Sequence, residues 1–183
     1  GFRPPEDWPY TEQALKEEEA FDLNEDPGLQ CVPYPKPRIT RWPYSQHWAI
    51  SENTITIAHE QSSTRVLNKT KDLSIPPAHI PDQNGYSVAH LNDNGDLVVT
   101  TRGFVETKWG SERGVSSSSS KVVTEIYRLV DGGYGLELEY TITDPDYLRE
   151  SVQLGRNFRL IPNYQFTNEP CNIEAARRHL QFD

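Results

Sequence analysis

The sequence has no methionine, only two cysteines and no long apolar run, and each absence narrows the class of protein. Without about 18 consecutive apolar residues, the chain is not predicted to cross a membrane as a helix. Neither cysteine lies in a CxxC or zinc-type spacing, so thiol redox catalysis and structural zinc are not favoured. A chain that starts at Gly1 without methionine suggests that a secretory signal peptide has been removed; a trimmed cytosolic protein is the alternative.

The two cysteines, Cys31 and Cys171, lie on either side of nearly all of the β-rich sequence. We expect them to form a disulfide, which would persist only in an oxidising compartment. The predicted location is therefore secreted or periplasmic. Two free, buried thiols are the alternative.

Positive charge is scarce at the start of the chain. Residues 1–30 contain nine carboxylates but only Arg3 and Lys16 as basic residues, in a chain whose net charge is −9. Nucleic acids and anionic membranes both require a basic face, so neither is a predicted partner. The acidic segment is also explained by solubility alone.

The first 45 residues, which we call the lead segment, differ in composition from the remainder. The stretch "TEQALKEEEAFDL" predicts a short helix capped by Thr11. The stretch "VPYPKPRITRWPY" carries four prolines, so it is predicted to wrap over the body in a polyproline-like conformation. The sequence thus divides into an acidic, helical and proline-rich lead segment, 1–45, and a β domain, 46–183.

From His47 onward, apolar and polar residues alternate, which indicates β-strands. Two hairpins are predicted most clearly, one turning at Asn94 and Gly95 and the other at the Asp-Gly-Gly turn of residues 131–133. About seven to nine strands with short connections favour an all-β fold. We predict an antiparallel meander that closes into a lipocalin-like barrel, because closure removes exposed sheet edges. A β-sandwich is the alternative.

Two charged residues, Glu125 and Arg156, occur on strand faces that are otherwise apolar. A charge in such a position lies at a strand end or is buried with a partner. One hypothesis is a Glu125–Arg156 pair inside the barrel that orients the polar end of a ligand. Glu137, in contrast, is predicted to lie on a solvated strand face.

The stretch "NGYSVAHLNDNGDLVVTTRGFVETKW" resembles the central motif of a widespread group of uncharacterised secreted bacterial proteins. The pattern of that group is roughly G-H-S, a short gap, W-E-G-D-T-L-V-V-D-T-x-G-F, and later H-S-E. The similarity extends over about residues 20–172, including the acidic approach to Cys31 and the "TITDPDYL" turn. The resemblance implies no particular activity.

This chain departs from the pattern at its polar positions. Tyr86 stands where the group has histidine, Thr100 replaces an aspartate, and the serines at 117–119 stand where the group has His-Ser-Glu. Serine and threonine can replace histidine neither as a base at neutral pH nor as an imidazole ligand. The resemblance implies either that a reactive site has been lost, leaving a flexible polar loop, or that this loop never took part in chemistry.

None of the five histidines is paired at a spacing typical of a metal site, and we expect no metal, no cofactor and no catalytic residue. The candidate ligand-binding residues are Tyr86, Thr100, Trp109, Glu125, Tyr127 and Arg156. The favoured function is a non-catalytic secreted binding module for an apolar small ligand, or for a protein partner that contacts the lead segment. One alternative is a structural or assembly subunit of an extracellular complex or filament, with a possible homo-oligomer. The other is a cofactor-independent enzyme that transfers protons in a barrel pocket through Tyr86, Glu125, Arg156 or Glu137.

Overall fold

The computed structural model describes residues 8–60, 62–112, 114–167 and 169–178. Within these ranges it has two α-helices, α1 (Glu12–Glu19) and α2 (Ile173–Ala176), and ten β-strands. The strands are β1 (Gln46–Ile50), β2 (Thr54–His59), β3 (Thr64–Lys69), β4 (Tyr86–Leu91), β5 (Leu97–Arg102), β6 (Thr107–Glu112), β7 (Val115–Ser117), β8 (Val122–Val130), β9 (Gly135–Thr143) and β10 (Val152–Arg159). The prediction of an all-β body is confirmed.

Eight of the described strands form one strongly curled sheet, in the order β1-β2-β3-β4-β5-β8-β9-β10. Strands β6 and β7 form a separate antiparallel ribbon. The curl has the form of half a barrel, whose edge strands are β1 and β10. These two edges do not pair within the described residues, so the curl falls short of the closed, lipocalin-like barrel that the sequence predicted.

The sheet also departs from a simple meander, because β3 and β4 are parallel while the other neighbours are antiparallel. Residues 70–85, which connect these two strands, include Pro76, Pro77 and Pro81. Proline has no amide hydrogen for a sheet ladder, so this stretch does not continue as a hairpin strand. The chain instead returns along the sheet before β4 begins, and β4 then runs in the same direction as β3.

The pairing register shows which side chains lie on the concave face of the curl. Residues paired across neighbouring strands point to the same face of a sheet. One such row runs through Leu67, Ser87, Thr101, Val123 and Ile142. All five are buried, so the core of the protein lies inside the curl.

The two ends of the curl are covered differently. β1, β4, β8 and β10 run in the same direction and finish at what we call the open end. The opposite end, the closed end, contacts the lead segment, where Tyr10 bridges to Leu148. Helix α1 packs there through Ala14, and the Thr11 hydroxyl accepts a hydrogen bond from the Ala14 amide. The predicted helix and its cap are therefore confirmed.

The proline-rich part of the lead segment is more compact than the predicted extended wrap. A 3₁₀-helix spans Arg38–Arg41, and the side chains of Lys36, Arg38 and Ile39 are buried. Lys36 reaches Glu125 of the sheet, whereas Arg38 pairs with Asp26 of the lead segment. The segment therefore contributes core residues to the fold, in addition to covering it.

After β10, residues 160–167 and 169–171 belong to a strap that crosses from the open end toward β1 and β2. The Tyr164 hydroxyl donates to the Glu60 carboxylate at 2.8 and 2.9 Å, and the Phe166 ring meets His47 of β1 edge-on. The strap ends at Cys171, which forms the predicted disulfide with Cys31 of the lead segment. Among the described residues, no helix is both long and apolar enough to span a bilayer.

The disulfide should contribute strongly to stability, because it closes a loop whose ends are 140 residues apart. Replacing Cys31 and Cys171 together by serine is expected to lower the free energy of unfolding by about 3 to 5 kcal/mol, mainly by giving the unfolded chain more freedom. Urea unfolding of the oxidised protein and of the double variant measures the difference. A loss below about 1 kcal/mol would show that the bond does not constrain the unfolded chain as described.

Candidate functional site

A carboxylate lies inside the curled sheet with no exposed surface. Glu125 of β8 is 0% exposed and meets Arg65 of β3 on the concave face. Lys36 reaches the same carboxylate from the lead segment. We call Lys36, Arg65 and Glu125 the buried charge cluster. Arg65 is 60 residues and Lys36 is 89 residues away from Glu125 in sequence, so the cluster forms only when the chain folds.

Glu125 accepts hydrogen bonds from three side chains. Arg65 donates through two nitrogens, Nη1 to Oε1 at 3.0 Å and Nη2 to Oε2 at 2.5 Å. Lys36 Nζ donates to Oε1 at 2.8 Å, and the Tyr127 hydroxyl donates to the same oxygen at 2.8 Å. Such bidentate, charge-assisted contacts are among the stronger hydrogen bonds in proteins. The protein itself therefore occupies both oxygens of the carboxylate.

The two cations of the cluster have further partners. Arg65 donates to the hydroxyls of Ser87 at 3.1 Å and Thr101 at 2.7 Å, and Lys36 Nζ donates to the Thr40 hydroxyl at 2.7 Å. These partners belong to β4, β5 and the 3₁₀-helix of the lead segment. The cluster therefore links the lead segment to four strands of the sheet.

Burial and pairing act in opposite directions on the titration of these groups. Burial alone would raise the pKa of the Glu125 carboxyl, but Arg65 and Lys36 outweigh it and hold that pKa well below its usual range. For Lys36, burial outweighs the attraction of Glu125 and lowers the pKa. Glu125 is consequently ionised at ordinary pH and is a weak base, which does not suit it to proton abstraction.

The serine run is part of the same end of the molecule. Lys121 Nζ donates to the Ser117 hydroxyl at 2.7 Å and to the Lys36 carbonyl at 2.8 Å. Ser118 donates to the Asp144 carboxylate through its amide at 2.9 Å and its hydroxyl at 2.7 Å. All these groups are buried, and burial lowers the pKa of Lys121 to about 7. The prediction of a flexible polar loop is wrong for Ser117 and Ser118, because their hydroxyls and the Ser118 amide bond to buried charged side chains.

The structure divides the residues that the sequence proposed for ligand binding. Glu125 and Tyr127 are on the concave face and belong to or contact the buried charge cluster. Tyr86 and Thr100 have the opposite parity on β4 and β5, so they lie on the convex face. These four residues do not form one site.

Trp109 has a different role again, in the β6–β7 ribbon. It is buried, its ring stacks on Phe21 at a centroid distance of 5.3 Å, and the Arg38 guanidinium lies 5.8 Å from it. Arg38 in turn pairs with Asp26 at 2.6 Å. Trp109 therefore packs the ribbon against the lead segment.

The hypothesis of a Glu125–Arg156 pair named the wrong partner. Glu125 binds Arg65 and Lys36, whereas Arg156 Nη1 donates to the carbonyl of Arg41 at 2.6 Å. The sequence analysis missed both true partners. Arg65 could have been found from its spacing of two from Leu67 on β3, because residues two apart on a strand lie on the same face. Lys36 lies in irregular sequence, and no comparable pattern marks it.

The open end has a different chemistry, because apolar side chains of the concave face are left exposed there. Ile50, Leu91 and Leu129 are 72%, 62% and 72% exposed. Leu91 and Leu129 nevertheless share their face with buried residues of their own strands, and Ile50 is paired in register with the buried Ile55 of β2. We call these three residues, together with half-buried neighbours, the apolar mouth. The half-buried neighbours are Trp48, Leu97, Leu136 and Phe158.

The floor of the apolar mouth is aromatic. The curl brings Trp48 of β1 against Tyr127 of β8, with ring centroids 5.0 Å apart and the rings nearly perpendicular. The hydroxyl of Tyr127 points away to Glu125. This ring pair therefore separates the apolar mouth from the buried charge cluster beneath it.

One half-buried charge borders the mouth. Arg156 of β10 is paired in register with Leu138 on the concave face, and its guanidinium lies 5.7 Å from the Phe158 ring. Burial lowers its pKa. Among the described residues, no carboxylate lies within ion-pair distance of this guanidinium.

Comparison of the chain with protein-family models, with curated proteins and with solved structures found no significant match. The resemblance to the secreted bacterial group therefore stays a prediction. Among the described residues, no three histidine, cysteine or carboxylate side chains are grouped as metal ligands would be.

Removing the central carboxylate should destabilise the fold. In Glu125→Gln, the buried Arg65 keeps its charge without a counter-charge, and Lys36 loses its charged partner. Breaking a buried ion pair in this way costs about 3 to 5 kcal/mol. Urea unfolding at pH 7 measures the change. The matched control is Glu137→Gln, whose half-exposed carboxylate is 3.9 Å from Arg128 and should matter by less than about 1 kcal/mol. Equal stability of the two variants would contradict the role given to the cluster.

Stability should also rise with pH above neutrality. The pKa of Lys121 is about 7 in the folded protein, against about 10 in an unfolded chain, so between these values the unfolded state binds more protons. The free energy of unfolding should therefore rise by up to about 1 kcal/mol per pH unit for this group. Urea unfolding at pH 7, 8 and 9 measures the slope. Lys121→Met should have a clearly smaller slope. An unchanged slope would show that Lys121 does not cause the rise in stability with pH.

Proposed function

We propose that this chain is a non-catalytic, secreted or periplasmic binding module that holds an apolar small ligand at its open end. The observation that carries the proposal is the apolar mouth. Its three most exposed members share a face with the core, and they come from β1, β4 and β8, no two of which are neighbours in the sheet. Curling of the sheet is what gathers them at one end.

The exposed area is large enough to contribute to binding. Full burial of a leucine or isoleucine side chain gains roughly 1.5 to 3 kcal/mol. With about two thirds of each side chain exposed, covering Ile50, Leu91 and Leu129 would gain about 3 to 6 kcal/mol. Exposed apolar patches of this kind often mark ligand or partner sites.

The arrangement of the polar residues favours binding over catalysis. The residues considered for proton transfer are spread over both faces of the sheet: Tyr86 and Glu137 on the convex face, Glu125 and Arg156 on the concave face. Glu125 is enclosed and bonded to cations. A general base must reach its substrate and take up a proton, and this carboxylate is placed for neither.

The disulfide supports the proposed compartment, and burial of the lead segment favours a small ligand over a protein partner. The disulfide between Cys31 and Cys171 suits an oxidising environment, which is the basis for proposing a secreted or periplasmic location. A protein partner on the lead segment is less favoured, since Lys36, Arg38 and Ile39 are already buried against the protein's own body.

The proposal is tested with the neutral fluorescent dye Nile red as an apolar probe. The oxidised, full chain should bind the dye with an increase in fluorescence, and Leu129→Asp should weaken binding roughly tenfold, because a carboxylate would have to be desolvated at the contact. The matched control is Ile80→Asp, since Ile80 is 83% exposed in the loop between β3 and β4, away from the mouth. Circular dichroism checks that both variants are folded.

Either of two results would contradict the proposal. One is the absence of dye binding by the parent protein. The other is equal binding by the Leu129→Asp and parent proteins, which would place the dye elsewhere on the surface.

A further inference from the structure

Arg156 differs from the three buried cations Lys36, Arg65 and Arg38, because no carboxylate of the described residues pairs with it. Lys36 and Arg65 pair with Glu125, and Arg38 pairs with Asp26. Arg156 has instead a single backbone carbonyl, that of Arg41, as its hydrogen-bond acceptor. A guanidinium that is partly withdrawn from water without a counter-ion favours the approach of an anion.

The contact with the Arg41 carbonyl leaves a particular edge of the guanidinium available. Nη1 is the nitrogen that donates to this carbonyl, at 2.6 Å. Nε and Nη2, which lie side by side on another edge of the planar group, make no hydrogen bond within the described residues. Two parallel N–H groups in this arrangement match the two oxygens of a carboxylate.

The apolar groups next to this edge define the rest of the ligand. Phe158, near the end of β10, lies on the same face as Arg156. It is paired in register with Leu136 of β9, which is paired with Leu129 of β8, so the three form one apolar row across the sheet. Trp48 and Tyr127 form the floor. Arg156 lies two residues before Phe158 on β10, in the next row toward the core, at the border of the mouth.

From this geometry we propose that the apolar mouth binds an amphipathic monocarboxylate, with its carboxylate on Arg156 and its apolar body against Phe158, Leu129 and Leu91. The inference rests on the proposed function, which requires only an apolar ligand, and adds the charge of the ligand and the residue that recognises it. One guanidinium edge without a second cation suits a single negative charge.

The experiment compares decanoate with 1-decanol, which have chains of equal length and differ in the head group. Each is used to displace Nile red from the oxidised, full chain at pH 7.5. The parent protein should bind decanoate roughly tenfold more tightly than decanol, the effect expected of one charge-assisted bidentate contact. In Arg156→Gln this preference should disappear while the affinity for decanol stays unchanged.

Two further variants separate recognition from disturbance of the fold. Arg156→Lys keeps the charge without the planar edge, so it should recover part of the preference for decanoate. Arg159→Gln removes an exposed arginine from the same strand and should keep the full preference. Thermal unfolding of all variants checks that they are folded, and the comparison of the two ligands on the parent protein needs no variant.

The failures of the two proposals are distinguishable. Equal affinity of the parent protein for decanoate and decanol would overturn the role of Arg156 and leave the apolar site standing. A preference for decanoate that persists in Arg156→Gln would also overturn that role. Failure of both ligands to displace bound dye would overturn the use of the mouth as an alkyl-chain site, and with it the inference.

Discussion

The structure depends on one buried carboxylate that three separate parts of the chain share. Glu125 receives Lys36 from the lead segment, Arg65 from β3 and the Tyr127 hydroxyl from its own strand. A carboxylate without exposed surface is unfavourable unless its charge is balanced and its oxygens are bonded. Sheet and lead segment therefore need each other: the sheet supplies the carboxylate, and the lead segment supplies one of the cations that makes its burial tolerable.

This dependence gives the half barrel two chemically different ends. At the closed end, charged side chains occupy space that apolar side chains would fill in a more hydrophobic protein, in keeping with an apolar content of 35%. The proline-rich stretch contributes Lys36, which bonds to Glu125, and the disulfide joins the strap to the lead segment. Polar contacts and a covalent bond therefore hold this end together. At the open end, the concave face finishes in Ile50, Leu91 and Leu129, which remain accessible. The proposed binding site follows from this asymmetry.

Local sequence patterns predicted the strands well and their assembly less well. The alternation in β9 and the turn around Gly95, whose φ is +82°, are local features, and the hairpins they predict are present. The parallel pairing of β3 and β4, and the lack of pairing between β1 and β10 in the described structure, depend on how far the whole sheet curls. Strand periodicity contains no information on that curl.

For the buried charge cluster, the sequence suggested that Glu125 is buried but not which cations pair with it. The position of Glu125 among apolar residues indicated a buried charge, but its partners come from distant segments, and Lys36 lies in sequence without periodicity. The prediction for the serine run was wrong for a related reason. Serine is typical of loops, and the buried partners of these serines, the donor Lys121 and the acceptor Asp144, lie outside the run. Composition alone does not distinguish a solvated hydroxyl from one that binds a buried charge.

The central claim is that the buried charge cluster makes the lead segment an integral part of the fold. Native-state hydrogen exchange tests it most directly, by comparing the amides of Ile39, Thr40 and Trp42, which donate within the lead segment, with those of β8. The account predicts that both sets exchange with nearly the same free energy of opening, within about 1 kcal/mol, because the segment cannot leave without exposing Glu125. Exchange of the lead-segment amides through a local opening several kcal/mol easier than that of β8 would contradict it.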